Sequence, residues 1–368
     1  MRAISSSAAE RKVMNHFVVS WPLFKEALSM ANLRTARTAI LLTLVLIFVA
    51  LASSARAAQK LTTVTVGYSA ISYDQLPAWV AKDAGLFVKN GLDVQLVYFT
   101  GGTTAAMALV SGDIAISQNA GPEIVNAHLA GSDPVFVAGG TVTLDWWLMG
   151  RPEIKSPAQL KGGSVAISRF GSVSDFVARF ALQRIGLTAD KDVAVVQVGT
   201  NTDRFVAMAS KRVEGAVFNP PTSFIGQKNG FTVLADVASL GLAFQHTGAV
   251  TTRKFIRENA DAVSKYVKAH VEAIHRLKTD RETGLKVALK YFGKVRDQES
   301  MEKAYDRYIR DSQLPRKQYP TLEGLKTVLT TLGEKDPRAR ALKPEDLVDL
   351  RFIKELDQSG IIDALYAR

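Results

Sequence analysis

Residues 101–122, GGTTAAMALVSGDIAISQNAGP, decide the fold because their pattern returns at residues 199–220, GTNTDRFVAMASKRVEGAVFNP. Each stretch opens with glycine and small polar residues and continues as a helix, expected over Thr103–Val110 and Thr202–Ser210. Each then gives a short apolar strand that leads to an asparagine and a proline. The two stretches begin 98 residues apart, which indicates that the chain contains one structural unit twice.

Upstream of each stretch the chain carries a strand, a polar loop, a helix, the pair Gly-Leu and a second strand. We expect these strands and helices at Val64–Val66, residues 76–84 and Asp93–Phe99, and again at Val165–Ile167, Asp175–Arg184 and Val193–Val198. Short strands rich in Val and Ile are typical of sheets covered by helices on both faces. The alternation predicts βαβ units and two similar α/β lobes. The alternative is coincidence, since Gly-Leu commonly follows a helix.

The charge and the cysteine content exclude several classes of protein. The chain of 368 residues has a formal charge of +11, but residues 1–57 carry seven basic and two acidic residues, which leaves +6 for the remainder. This mild excess is spread along the chain, so it can attract anionic ligands but is not the basic patch of a nucleic-acid-binding protein. The absence of cysteine excludes disulfides, thiol catalysis and lipidation at an N-terminal cysteine.

The N-terminus has the pattern of an export signal. Residues 39–52 are apolar apart from Thr43, arginines precede them, and Ala55 and Ala57 form an A-x-A site. The alternative, a membrane anchor, is too short, because 14 helical residues span ~21 Å of a ~30 Å hydrocarbon core. We therefore expect residues 1–57 to be a leader and signal peptide cleaved after Ala57. The mature protein would be periplasmic and not a lipoprotein, whether translation starts at Met1, Met14 or Met30.

Ligands of open α/β sheets bind at the carboxyl ends of the strands, where helix N-termini favour anions. The loops there contain polar and aromatic residues in both lobes. The candidate ligand-binding residues are Tyr68, Ser69, Tyr73, Gly101, Gly102, Thr103, Ser117 and Asn119 in the first lobe, and Ser168, Arg169, Gly171, Ser172, Thr200, Asn201, Phe218 and Asn219 in the second. Arg169 is the candidate clamp for a carboxylate or sulfonate.

Each of these residues also has a structural explanation. Serine, threonine and asparagine after a strand are ordinary helix N-caps, and Arg169 could pair with Asp175 or face solvent. Tyr68, Tyr73, Phe99, Phe170 and Phe218 could line an apolar pocket. Trp146 and Trp147 stand where the chain would cross between the lobes, as hinge core or as pocket wall.

Several motifs in order along the chain resemble the nitrate/sulfonate/bicarbonate family of ABC-transporter solute-binding proteins, which includes the aliphatic-sulfonate and taurine receptors and shares its fold with thiamin-pyrimidine precursor proteins. The motifs are PAWVAKDAGLF at 77–87, NGLDV at 90–94, Gly101-Gly102, LVSGD at 109–113, SPAQLKG at 156–162, and PEDLVD at 344–349 with Ser359-Gly360.

The resemblance implies a type II periplasmic binding fold, with two lobes joined by two crossover strands and the ligand in the cleft between them. The crossings are expected near Leu144–Met149 and Thr247–Thr252. The first lobe would then comprise residues 58–144 and 249–368, and the second lobe residues 145–248. The implied function is capture of a small anionic organic solute by hinge closure and its delivery to an ABC permease and its ATPase, with the binding protein expected to be a monomer.

An enzyme on the same scaffold is the main alternative. Thiamin-pyrimidine synthases of this fold depend on a Cys/His cluster, and this chain has no cysteine. His270 and His275 lie ~140° apart around a helix, unlike metal-binding histidines at i, i+4. His128 is expected in a helix and His246 in a surface strand. We therefore predict a binding protein without catalytic residues, metal or cofactor. A sensory module that presents the solute to a signalling receptor is the other alternative.

Overall fold

Ten strands form the framework of the computed structural model, which describes residues 61–293 and 297–367. The expected leader and signal peptide lie outside these described residues. In chain order the strands are β1 (Thr62–Tyr68), β2 (Leu92–Tyr98), β3 (Ile116–Asn119), β4 (Pro134–Gly140), β5 (Trp147–Gly150), β6 (Ser164–Ile167), β7 (Ala194–Gln197), β8 (Gly215–Phe218), β9 (Thr232–Asp236) and β10 (Gly248–Thr252).

The ten strands make two sheets on one plan, in the orders β2-β1-β3-β10-β4 and β7-β6-β8-β5-β9. In the first sheet β1 pairs in parallel with β2, Thr62 opposite Leu92, and with β3; in the second, β6 pairs in parallel with β7 and β8. The fourth strand of each order, β10 or β5, runs antiparallel to both neighbours. In the chain, β5 of the second sheet follows β4 of the first sheet, and β10 of the first sheet follows β9 of the second. Both are therefore crossover strands, and the predicted two-lobed α/β fold is confirmed.

Thirteen α-helices are found in the described residues. They are α1 (Leu76–Asp83), α2 (Leu86–Lys89), α3 (Gly102–Ser111), α4 (Gly121–Leu129), α5 (Val173–Arg184), α6 (Asn201–Ala209), α7 (Thr222–Lys228), α8 (Arg253–Thr279), α9 (Arg281–Phe292), α10 (Gln298–Tyr308), α11 (Leu322–Leu332), α12 (Arg351–Gln358) and α13 (Ile361–Tyr366). None of the helices in residues 61–293 and 297–367 combines the length and apolar character that crossing a bilayer requires.

Local chemistry explains where the helices at the cleft begin. The Ser172 side chain accepts a hydrogen bond from Asp175 N and so starts α5. Thr200 and Asp203 form a reciprocal capping box that starts α6. Before α3 the chain turns at Gly101, whose φ of +92° favours glycine. These helix N-termini therefore lie at the carboxyl ends of strands, as the sequence predicts.

The cores of both lobes are formed by strands that are buried on both faces. All residues of β3, β4, β5 and β8 are buried, as expected for sheets covered by helices on both sides. The long helix α8 packs against α1, β4 and β10, so it belongs with the first sheet, as do α9 and α12. Helices α3 and α4 also pack against strands of the first sheet. We call the first sheet with these helices lobe I and the second sheet with α5–α7 lobe II.

Two antiparallel connections join the lobes and form the hinge. Thr141 N donates to Thr247 O at 3.0 Å, His246 N donates to Thr141 O at 3.0 Å, and Phe244 N donates to Val142 O at 3.0 Å. The chain thus leaves lobe I after Gly140 and returns to it at Gly248. The residue limits expected for the lobes, 58–144, 145–248 and 249–368, stay predictions.

Candidate functional site

A cleft of about 320 Å³ lies between the lobes, at the carboxyl ends of the parallel strands. Its size suits a small solute, since ligand pockets commonly measure ~300–1,000 Å³. Lobe I contributes residues 69–72, 74, 75, 98, 101, 102, 120, 123, 291 and 292. Lobe II contributes residues 168, 172–174, 199–202, 204, 219, 221, 222 and 225, and the hinge contributes residues 146, 246 and 247. A ligand in this cleft would touch both lobes and the hinge at once.

Half of the candidate residues named from the sequence line this cleft. They are Ser69, Gly101, Gly102, Ser168, Ser172, Thr200, Asn201 and Asn219. Several also cap helices or bond to each other, as expected for residues after strands: Ser168 Oγ lies 3.0 Å from Ser172 Oγ, and Thr200 Oγ1 donates to Asp203 Oδ2 at 2.7 Å. Their contact with a ligand stays a prediction.

Five of the other candidates pack behind the cleft. Tyr68 stands edge-on to Trp79, and Tyr73 is buried with its hydroxyl donating to Met301 O at 2.7 Å. Ser117, Asn119 and Phe218 are buried in β3 and β8, and Asn119 Nδ2 donates to Gly102 O at 3.0 Å. These residues support the walls, whereas the aromatic side chains that line the cleft are Tyr98, Trp146, Tyr291 and Phe292.

The remaining three candidates lie at the rim, where the two lobes meet. Thr103 Oγ1 donates to Phe170 O at 3.0 Å, and Gly171 O accepts from Asn126 Nδ2 at 3.0 Å. Arg169 is exposed, and a Cβ on Gly101 would meet its Cγ at 3.0 Å. Asp175 pairs with Arg179 at 2.6 Å, not with Arg169. Arg169 therefore stands at the mouth of the cleft rather than inside it.

Arg204, which the sequence reasoning missed, is the buried cation of the cleft. It lines the cleft from α6 and is 2% exposed. Its Nη2 donates to Asn201 Oδ1, but Nε and Nη1 have no protein partner. The guanidinium lies 5.9 Å from the Trp146 ring and 5.8 Å from the Phe218 ring, and burial lowers the pKa of Arg204 from 12.5 to about 9.

A hydrogen-bonded relay runs from Arg204 across the cleft to lobe I. Asn201 Nδ2 donates to Asn219 Oδ1 at 3.0 Å, and Asn219 Nδ2 donates to Asp74 Oδ2 at 2.9 Å. Thr141 Oγ1 donates to Asp74 Oδ1 at 3.0 Å and so links the relay to the hinge. Asp74 is therefore already engaged by protein donors. Across the described part of the chain, Arg204 forms no salt bridge with a carboxylate, although the charge of Asp203 opposes the effect of burial on its pKa.

Glu123 is the buried acid of the cleft. It lies in the first turn of α4, is 3% exposed, and accepts from Val173 N of lobe II at 2.9 Å through Oε1. Its Oε2 has no protein partner. Burial raises the pKa of Glu123 to about 7, although N–H groups of Val173 and of Glu123 itself lower it. A Cβ at Gly102 would overlap Glu123 Oε1, so any other residue there would have to displace the Glu123 carboxyl.

The expectation that His246 lies in a surface strand is wrong. His246 is 3% exposed and its Nε2 lies 3.0 Å from Trp146 Nε1. Because an indole N–H can only donate, His246 Nε2 accepts and is unprotonated. The residue is buried because its segment pairs with residues 141–142 in the hinge. Trp147 packs against Phe224 in lobe II, so Trp146 faces the cleft while Trp147 belongs to the core.

Two similar α/β lobes around a polar cleft define a solute-binding protein of the periplasmic type. The chain belongs to the NMT1-like family, whose model matches residues 57–289. It is 25% identical over 291 residues to YtlA of Bacillus subtilis, named as a binding protein, covering 75% of this chain and 85% of YtlA. It is 24% identical over 251 residues to a protein of Brachyspira hyodysenteriae named as an ABC transporter periplasmic binding protein, covering 68% of this chain and 66% of that protein.

Two solved structures show the same fold. The periplasmic aliphatic sulphonate binding protein SsuA of Escherichia coli superposes with a TM-score of 0.60 at 20% identity, covering 78% of this chain and 92% of SsuA. The periplasmic nitrate-binding protein NrtA of Synechocystis superposes with a TM-score of 0.67 at 14% identity, covering 82% of this chain and 89% of NrtA. The resemblance inferred from the sequence motifs is therefore confirmed.

Proposed function

We propose that this protein is the solute-binding component of an ABC importer and that it captures a small anionic organic solute between its lobes. The class of protein follows from its family and from the Brachyspira relative, which is named for an ABC transporter. SsuA and NrtA, which share the fold, are named for a sulphonate and for nitrate, both of which are anions. The partners would be a permease and its ATPase, with the binding protein acting as a monomer after export.

The observation that carries the proposal is the unpaired guanidinium of Arg204. Removing an unpaired charge from water costs several kcal/mol, and Nε and Nη1 find no acceptor in the protein. A carboxylate or sulfonate oxygen in the cleft would accept from these N–H groups in charge-assisted hydrogen bonds and compensate the charge. The free energy of anion binding would therefore include the gain from pairing the buried Arg204 charge, which destabilises the ligand-free protein.

The rest of the cleft suits an organic substituent on that anion. Trp146, Tyr98, Tyr291 and Phe292 supply aromatic surface, and the apolar part of an alkyl or aryl group would be removed from water against them. Hydroxyl groups of Ser69, Ser168 and Thr200 line the cleft as well and can turn to donate to the remaining oxygens of the head group. Because the lining comes from both lobes, binding would favour the closed arrangement.

A thermal-unfolding screen tests the proposed ligand class. The panel holds ethanesulfonate, benzenesulfonate, benzoate, nitrate, bicarbonate and, as a neutral solute, a hydroxymethylpyrimidine. A ligand at a hundred times its Kd adds ~2.7 kcal/mol to the free energy of unfolding. We expect one class of organic anion to raise Tm in the wild type and not in Arg204→Met. Stabilisation by the neutral pyrimidine alone would contradict the anionic assignment while leaving the receptor class intact.

No catalytic role is proposed, since the named relatives are binding proteins. In the part of the chain that the structure describes, no three His, Asp or Glu side chains form a cluster that could hold a metal ion. We propose that the buried cation Arg204 binds the ligand and that the buried acid Glu123 acts in closure of the cleft.

A further inference from the structure

Three hydrogen bonds join α3 and α4 of lobe I to the loop that opens α5 in lobe II. We call this set the clasp: Thr103 Oγ1 to Phe170 O at 3.0 Å, Asn126 Nδ2 to Gly171 O at 3.0 Å, and Val173 N to Glu123 Oε1 at 2.9 Å. Every one of these bonds spans the cleft, so all three are lost when the lobes separate. Of the side chains that contribute to the clasp, Glu123 is the one that ionises.

The clasp places the Glu123 carboxyl in an environment without a compensating cation. Oε2 is buried and has no partner. Helix α3 and strand β4, which pack against α4, carry no charged side chain. No charged or titratable group on α4 or on the elements packed against it shifts the pKa of Glu123. These groups are His128 on α4, Arg169 in the loop before α5, Asp175, Arg179 and Arg184 on α5, Glu323 and Lys326 on α11, and Arg338 and Arg340 in the turn 337–341.

Two effects on Glu123 oppose each other in the closed form. The N-terminus of α5 and its Val173 N–H favour the carboxylate, whereas burial favours the neutral acid. Burial is the larger effect, because it raises the pKa of Glu123 from 4.5 to about 7. When the lobes separate, Val173 N and the lobe II wall leave the carboxyl and water reaches it, so the pKa returns toward its ordinary value. The closed form therefore binds a proton more tightly than the open form does.

We propose that Glu123 couples closure of the cleft to uptake of one proton from solvent, so that the protein captures its anionic solute together with a proton. The proton binds a carboxyl oxygen of Glu123 when the lobes close, and it returns to solvent when they open. The part of this inference that concerns the solute rests on the proposed function, whereas the coupling to closure rests on the clasp alone. Glu123 is a positioning residue here, because it acts by holding the two lobes together.

The sign of the coupling follows from linkage. The pKa of Glu123 is higher in the closed form than in the open form, so closure is favoured at low pH and weakens as pH rises through about 7. With an open-form pKa near the ordinary 4.5, the ratio of closed to open molecules should fall roughly 30-fold between pH 5.5 and pH 8.5.

Single-molecule FRET on the purified protein without ligand tests the coupling directly. The chain has no cysteine, so Met107→Cys in lobe I and Lys191→Cys in lobe II, both exposed, give two defined dye positions. We expect the closed population of the wild type to fall across this pH range. Glu123→Gln keeps the size and the acceptor oxygen toward Val173 N but cannot ionise, and its closed population should stay constant.

Calorimetry with ethanesulfonate tests the capture of the proton with the solute. Ethanesulfonate is an anion throughout this pH range, so any proton taken up on binding enters the protein. Titrations at pH 6.5 in two buffers of different ionisation enthalpy should show uptake of about 0.75 proton for each molecule that closes on binding the anion in the wild type, and none in Glu123→Gln.

The two experiments separate this inference from the proposed function. A wild-type FRET ratio that stays flat with pH, or an equal pH response in Glu123→Gln, overturns the role of Glu123. A pH-dependent FRET ratio that Glu123→Gln abolishes, with no ethanesulfonate binding, supports the coupling and contradicts the sulfonate as ligand. Ethanesulfonate binding without proton uptake supports the proposed function and contradicts proton capture.

Discussion

Replacing Arg204 with methionine should have opposite effects on stability and on binding. The fall in the pKa of Arg204 from 12.5 to about 9 corresponds to about 5 kcal/mol of cost for the charged form in the folded protein, at about 1.4 kcal/mol per tenfold change in the ionisation constant. This cost is fully present below pH 9 and disappears only as pH rises toward 12.5. Methionine keeps much of the length and removes the charge.

Part of that cost is offset by contacts that methionine would lose. Arg204 donates to Asn201 Oδ1 and lies over two aromatic rings, contacts worth about 1–3 kcal/mol together. We therefore expect the ligand-free Arg204→Met protein to be about 2–4 kcal/mol more stable than the wild type. Anion binding, by contrast, should weaken by about 3–5 kcal/mol, because two charge-assisted hydrogen bonds disappear. This loss corresponds to a Kd more than about 100-fold higher.

Urea unfolding without ligand and isothermal titration with the anion that stabilises the wild type measure the two effects. Arg212→Met is the matched control, because Arg212 is an exposed arginine of the same lobe outside the cleft lining; both quantities should stay near wild type. Two results would refute the reasoning: anion affinity within twofold of wild type in Arg204→Met, or a ligand-free variant less stable than the wild type by 2 kcal/mol or more.

Four further outcomes are expected. Gly102→Ala should lower anion affinity at least about tenfold without loss of circular dichroism, since its methyl group overlaps Glu123 in the clasp; wild-type affinity would argue against a tight closed form. Arg169→Ala should cost less than about 1 kcal/mol of binding by calorimetry, because Arg169 is exposed at the rim. Burial lowers the pKa of His270 from 6.5 to about 4, so as pH falls His270 is protonated in the unfolded chain before it is protonated in the folded protein. The urea-unfolding free energy of His270→Gln relative to wild type should therefore rise by about 2 kcal/mol from pH 7 to pH 5; a constant difference would contradict this. N-terminal sequencing of the exported protein should begin at Ala58, and retention of residue 39 would exclude cleavage there.

The elements of the fold could be predicted closely because their signals are local. The helix expected over Thr103–Val110 is observed over Gly102–Ser111, and the strand expected over Val165–Ile167 is observed over Ser164–Ile167. The apolar residues 114–116 predict the third strand there, whereas β3 is observed over Ile116–Asn119. Its polar end, Ser117 to Asn119, looks like a loop in sequence although these residues pair with β1 and β10. A polar strand end can be recognised as a strand only when its partners are known.

The central charges of the site depend on contacts between distant parts of the chain. Arg204 shares a helix face with the buried Ala207 and Met208, at i+3 and i+4, and a charge on such an apolar face is the one signal that the sequence offers. Its lack of a partner depends on Trp146 and Phe218. Glu123 is buried by Gly102 and by Val173 of the other lobe, and His246 by a hinge partner about one hundred residues away. Periodicity within one segment contains no information about these contacts.

The order of the strands also has a consequence for the way the protein forms during synthesis. Lobe II is built from one uninterrupted run, β5 to β9, whereas the sheet of lobe I lacks β10 until that run is complete. As the chain emerges with its N-terminus first, β3 and β4 appear more than one hundred residues before β10, the strand that lies between them in the sheet. Lobe II can therefore close its own sheet while β3 and β4 still expose unpaired edges. Those edges are the surface that a holding chaperone would have to cover until β10 arrives.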